Sequence, residues 1–211
     1  NYIYGILLSA LVGVVIVGGI KRIGQTTEKI VPFMVVLYVS ASLFIILTNI
    51  DKLPQVFSSI LSQAFNPDSV YGGFIGAIVT GIKRGVFSNE GGVGSASIAH
   101  SAAKTDEPVR EGIVAMIGPF IDTIVVCFMT ASVILITKDS NPLYIVGGGI
   151  NGAELTSAAF GSVISWFPYV LSIVVFLFSF STMISWYYYG DKGWKYLFGG
   201  SSIKVYQGMY L

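Results

Sequence analysis

The residues best suited to chemistry in these 211 lie in RGVFSNEGGVGSASIAHSAAKT, from Arg84 to Thr105. Asn89 and Glu90 stand beside Gly91, Gly92 and Gly94, with Phe87 and Ser88 just before them. Glycines accept unusual backbone dihedrals and let a ligand come close to the main chain. Ser88 or Asn89 suits the cap of a helix that starts immediately afterwards. The chemistry this favours is recognition: N–H groups freed at an interrupted helix meet an anion, and unwound carbonyls meet a cation. Elsewhere, Asp122 is an acid within an apolar run, and Phe178, Ser181 and Thr182 are spaced i, i+3 and i+4. That spacing puts the last three on one helical face. An enzyme needs a nucleophile, base or metal constellation, whereas the single His100 and single Cys127 are 27 positions apart on different segments.

The elements that position these residues follow from composition. The chain is 54% hydrophobic and 11% charged, with mean hydropathy +0.76; soluble domains carry about a quarter charged residues. Apolar runs of about 20 residues are long enough to cross a hydrocarbon core of about 30 Å. Such Val/Ile/Leu-rich runs resemble buried strands, but their length and repetition favour helices in lipid, where each segment pairs its own backbone groups. We expect spans at about Tyr4–Ile20, Ile30–Ile50, Val70–Ala103, Gly112–Thr137 and Val163–Tyr189, with a sixth starting near Ile203. A short basic loop holding Lys21, Arg22 and Lys29 separates the first two. The third region is too rich in glycine and polar groups to be one apolar rod. The expected architecture is an all-α polytopic membrane protein with a single transmembrane domain over 1–211. The apolar start at Asn1, with no signal-peptide pattern, reads as an internal piece of a longer chain.

A net charge of +1 leaves no footprint for nucleic acid. One thiol makes no intramolecular disulfide and gives no redox compartment. Lys21, Arg22, Lys29, Lys104, Arg110, Lys192, Lys195 and Lys204 fall on one side of the expected membrane, and only Lys52 and Lys138 on the other. Basic residues accumulate in short cytoplasmic loops, so the first set marks the cytoplasm of a multi-pass protein of the cytoplasmic (inner) membrane. Cysteines introduced at Asn66 and Asn151 should label from outside, and those at Thr26 and Lys195 from the cytoplasm. Labelling of Asn66 from inside alone inverts this topology.

Each candidate also has a structural reading. Gly91 and Ser95, four apart, match the small-residue spacing of packed membrane helices. Glu90 either contacts a ligand, is protonated, or pairs with Arg84 or Lys83. Asp122 is a ligand-handling acid or a structural partner for a hydroxyl or helix end. Hydroxyls such as Ser181 and Thr182 often bond their own backbone. His100 suits packing or capping, and Trp166, Tyr169, Trp186 to Tyr189, Trp194 and Tyr196 suit interfacial anchoring.

Several segments carry a resemblance: GGIKRI (Gly18 to Ile23), EKIVPFM (Glu28 to Met34), RGVFSNEGGVGSASIAHSAAKTDEPVREG (Arg84 to Gly112), FIDTIVVC (Phe120 to Cys127) and FSTMISWYYYG (Phe180 to Gly190). Together they resemble the alanine/glycine:cation symporters over nearly the whole chain. The resemblance implies a five-plus-five inverted-repeat, LeuT-like fold with substrate and ion near the midplane. The spans here would be helices four to eight and the start of nine, the glycine-rich region being the discontinuous sixth. It further implies alanine or glycine as substrate, held at Phe87, Ser88, Asn89, Glu90, Gly91 and Gly92. Sodium would be a transported ion, met by the Phe178 carbonyl and the Ser181 and Thr182 hydroxyls, with Arg84 and Asp122 as further functional residues. A proton-coupled transporter of the same fold, a channel and a non-transporting membrane subunit remain as alternatives. A symporter saturates and moves substrate in fixed proportion to its ion; a channel does neither. The sequence is silent on stoichiometry and oligomeric state.

Overall fold

The computed structural model describes residues 2–64, 73–87, 89–141 and 152–211. All regular structure among them is helical. Helix α1, Tyr2–Ile16, is apolar on every side and ends where Gly19 adopts φ +67°. Helix α2, Gly19–Thr48, starts at once and runs 30 residues. The expected basic loop is therefore absent: Lys21, Arg22 and Lys29 occupy the first turns of α2. Lysine and arginine are good helix formers, and the chain turns at the glycines just before them. Gly18 is required there, because a Cβ would lie 2.6 Å from the Arg22 Cβ.

A 3₁₀ turn, Ile50–Lys52, leads into α3, Leu53–Ala64. No expected span covered this helix, although Leu53, Val56, Phe57, Ile60 and Leu61 recur at helical spacing. The broken region comprises α4, Gly73–Val86; α5, Glu90–Val93; and α6, Ala96–His100. Helix α7, Pro108–Pro119, continues through a π-helical stretch, Phe120–Val126, into α8, Cys127–Ile136. A short α9, Ala153–Gly161, precedes the 32-residue α10, Phe167–Phe198; a 3₁₀ turn at Gly200–Ser202 then opens α11, Ile203–Tyr210.

Among the described residues, three helical segments are long and apolar enough to cross a membrane: Gly19–Thr48, Pro108–Ile136 and Phe167–Phe198. They cover most of the second, fourth and fifth expected spans, and the 15-residue α1 supplies a shorter apolar helix. As expected, the glycine-rich third region is no continuous rod. Leu7, Val14, Phe33 and Leu47 point outward, which a lipid solvent permits.

The chain divides into two compact units, one of Asn1–Tyr38 with Val170–Leu211, the other of Val39–Tyr169. In the first, Val12, Val15, Ile16, Ile23, Met34, Leu171, Val174 and Ile184 form the buried interior. Beside it Tyr187 stacks on Tyr206 and meets Tyr210 edge-on, with ring centroids 5.5 and 5.4 Å apart. The Tyr210 hydroxyl donates to the Met183 carbonyl (2.6 Å) and the Gln207 amide to the Tyr187 hydroxyl (3.1 Å). The aromatic belt expected around α10 is thus split: Trp166, Tyr169 and Tyr196 are exposed, whereas Tyr187 and Tyr188 are buried. For Tyr187 the reason is α11, whose Tyr206, Gln207 and Tyr210 lie against it.

In the second unit, Ile45, Val56, Met129, Val133, Ile136, Ala159, Phe160 and Phe167 are buried. Phe57 of α3 meets Phe128 of α8 at 5.0 Å, and Phe160 stacks on Phe167 at 5.0 Å.

Candidate functional site

The chain leaves helical geometry after Val86 and re-enters it at Glu90. Asn89, extended at φ −146° and ψ 165°, is the cap of α5: its Oδ1 accepts from the Gly92 N–H at 3.0 Å. The first N–H groups of a helix have no i−4 carbonyl partner, and this side chain satisfies one of them. Of the two residues suggested for the cap, Asn89 takes the role; Ser88 lies outside the described residues. Gly94 ends α5 at φ +90°, with its N–H bonded to the Glu90 carbonyl at 3.0 Å.

The three glycines of the break do different work. Only Gly94 among them has a positive φ, so the conformational argument holds for it alone. Gly92 is required for space: a Cβ there would sit 2.1 Å from the Val86 carbonyl oxygen and 2.8 Å from its Cα. The end of α4 and the start of α5 approach so closely that only hydrogen fits. Gly91 is tight but less so, its added Cβ falling 3.1 Å from Asn89 Oδ1 and 3.5 Å from Pro119 Cγ.

Glu90 does not pair with Arg84 or Lys83 among the described residues; its carboxylate Oε2 accepts from the Ser95 hydroxyl. Ser95 is buried, and the bond closes the short α5 turn on itself. Lys83 and Arg84 end α4 on an exposed surface. Phe87 is largely exposed beside the break.

Asp122 and its neighbour Thr123 fall within the π-helical stretch, whose wider hydrogen-bond ring is closed by the Cys127 N–H to the Asp122 carbonyl. Pro119 has no N–H for the preceding turn, which loosens the ladder where the wide turns begin. Such stretches recur at functional positions. Thr123 faces the break: Asn89 Nδ2 donates to its Oγ1 at 2.9 Å. Sequence reasoning noted Asp122 as the acid and passed over Thr123, although FIDT lay in a matching segment. His100 Nδ1 lies 2.6 Å from the Glu111 carboxylate, tying the end of α6 to α7. Of packing and capping, the two roles expected of His100, this contact between helices is packing; it adds Glu111, which was not foreseen.

In the other unit, the Ser181 and Thr182 hydroxyls each donate to the Phe178 carbonyl at 2.9 Å. The three expected oxygens are together on one face of α10, in the own-backbone arrangement common to membrane hydroxyls. Ser181 is buried while Phe178 and Thr182 are exposed.

Comparison with known proteins identifies the family. Residues 1–211 match the family described as the sodium:alanine symporter family. The sodium/alanine symporter AgcS of Methanococcus maripaludis is 44% identical over 208 residues, which cover 97% of this chain and 45% of that protein. An uncharacterized transporter of Haemophilus influenzae is 42% identical over 214 residues, covering 98% of this chain and 46% of its own. The sodium/proton-dependent alanine carrier protein of Bacillus sp. strain PS3 is 36% identical over 204 residues, covering 92% and 46%. The chain thus spans a little under half the length of the curated relatives it matches. With every residue inside the family match, the chain belongs to the sodium:alanine symporter family, a family of transporters and not of enzymes.

Proposed function

We propose that this segment forms part of a sodium-coupled symporter for a small neutral amino acid, alanine or glycine, working by alternating access in the cytoplasmic membrane. The observation that carries the reading is the capped break at Val86–Glu90, set in an apolar chain that belongs to this family. Irregular backbone at membrane depth is tolerated only where protein buries it or a watery cavity meets it. A binding role accounts for both the break and its polar lining. The substrate carboxylate meets N–H groups at the start of α5, and the side of the pocket is bounded by Phe87, Asn89, Gly91 and Gly92. Ser88, between them in sequence, belongs to the same proposed lining. The five-plus-five inverted repeat and the placement of these helices as the fourth to the ninth are part of the same proposal.

The coupling ion is sodium on this reading, met by the Phe178 carbonyl with Ser181 and Thr182. A hydroxyl that donates to a carbonyl keeps lone pairs for a cation, and sodium, like calcium and magnesium, favours oxygen. The relative from strain PS3, named for both sodium and protons, makes a proton-coupled variant the second reading. Uptake of labelled alanine into proteoliposomes holding the intact protein separates the two. An imposed sodium gradient should drive accumulation at constant pH, and Ser181→Ala with Thr182→Ala should raise the half-saturating sodium concentration on the order of tenfold, or about 1.4 kcal/mol. Accumulation driven by a pH gradient without sodium favours the second reading. Unchanged sodium dependence in the double variant removes these hydroxyls from the ion site.

A further inference from the structure

The Asn89 amide makes two bonds at once. Its Oδ1 accepts from the Gly92 N–H, and its Nδ2 donates to Thr123 Oγ1. These bonds select one orientation of the amide, since the reversed group would set an NH₂ against the Gly92 N–H. The cap of α5 is therefore held from outside its own segment, by a hydroxyl on the neighbouring helix. That hydroxyl stands in the π-helical stretch Phe120–Val126. Turns wider than α-helical advance side chains by a smaller angle per residue, so the stretch sets where Thr123 points. Helix α5 has four residues, too few to hold its own geometry. Its start depends on what the cap is tied to.

We propose that Thr123 is a positioning residue for the break: its hydroxyl holds the Asn89 amide, and through it the N–H groups at the start of α5, in the orientation that receives the substrate carboxylate. This rests on the reading of the break as the substrate site. Thr123 touches no substrate itself. Its removal therefore weakens substrate capture rather than the rate of the loaded transporter.

The test uses the intact protein in proteoliposomes and reads KM and maximal rate for alanine, normalised to reconstituted protein. Thr123→Val keeps the branched shape and removes the hydroxyl; KM should rise about fivefold, the effect of losing one ordinary hydrogen bond, with the maximal rate within about twofold. Thr123→Ser should bring KM back to within about twofold of the parent. Asn89→Ala should raise KM, and adding Thr123→Val to it should cause no further rise, because the two act through one bond. If Asn89→Ala raises KM and Thr123→Val leaves it at the parental value, the positioning role falls and the site stands. If Asn89→Ala is also parental, the substrate-site reading falls and this proposal with it. Failure of Thr123→Ser to restore KM, or additive effects in the double variant, also overturns the role of the hydroxyl.

Discussion

Gly92→Ala should reduce sodium-driven alanine uptake at least about a hundredfold per reconstituted transporter, the largest loss in uptake expected from a single methyl among the described glycines. The added Cβ would lie 2.1 Å from the Val86 carbonyl oxygen and 2.8 Å from both Val86 carbon atoms nearest it. Those are backbone atoms at the end of α4, so no rotamer change relieves the contact. The two halves of the broken helix must separate, and misplacement of a binding group by about 1 Å costs on the order of a hundredfold in rate. The neighbours calibrate the effect. Gly91→Ala meets Asn89 Oδ1 at 3.1 Å, a movable side-chain atom, and should cost only several-fold. Gly91→Val, β-branched and stiff at χ1, should cost more. Gly81→Ala in α4 meets nothing within 4 Å and should transport within about twofold of the parent. Uptake initial rates, with the amount of each variant measured in the same vesicles, decide the matter. A Gly92→Ala protein that transports like the parent means the close approach of α4 and α5 is no part of the working transporter.

The order of difficulty in reading this sequence follows physical range. Long apolar runs announce themselves through composition, so α2, the α7–α8 rod and α10 were legible. The break was legible because glycine, asparagine and glutamate together contradict an apolar rod, and the Asn89 cap because capping is local. The i, i+3, i+4 face of Phe178, Ser181 and Thr182 needed only helix periodicity. What was hidden depends on contacts between distant residues. Thr123 is unremarkable until the π-helical stretch and Asn89 are seen together, 34 positions apart. Glu90 offered basic partners one or two turns back, but the Ser95 hydroxyl, five positions ahead, reaches its carboxylate. The basic residues of α2 read as a loop because charge was taken for a boundary, when the boundary was the glycine pair before them. The crowding at Gly92 is invisible in sequence, where it looks like a glycine needed for its backbone conformation, as Gly94 is.

Gly190→Ala should lower the thermal stability of the solubilised protein while leaving the KM for alanine near the parental value. An alanine Cβ at this position in α10 would fall 1.8 Å from the Tyr206 hydroxyl oxygen and 2.7 Å from Cζ. Tyr206 cannot swing clear, because its ring lies 5.5 Å from Tyr187, 5.6 Å from Trp194 and 5.9 Å from Tyr210, centroid to centroid. Its hydroxyl also donates to the Tyr187 carbonyl at 3.4 Å. The glycine is thus the notch that lets α11 lie against α10. Forcing a methyl into a packed cluster costs about 1–3 kcal/mol, and at about 2–4 °C per kcal/mol for a chain of this size the melting temperature should fall by about 5 °C. Gly193→Ala, one turn on and with nothing within 4 Å, gains helix propensity and should melt at or slightly above the parent. Tyr206→Phe added to Gly190→Ala removes the closest atom but leaves the ring carbon, and should recover part of the loss. Thermal unfolding of the four proteins in one detergent reads the series. Equal melting of Gly190→Ala and Gly193→Ala would show that Tyr206 is not seated in the Gly190 notch, and that α11 is held to α10 by the remaining tyrosine contacts alone.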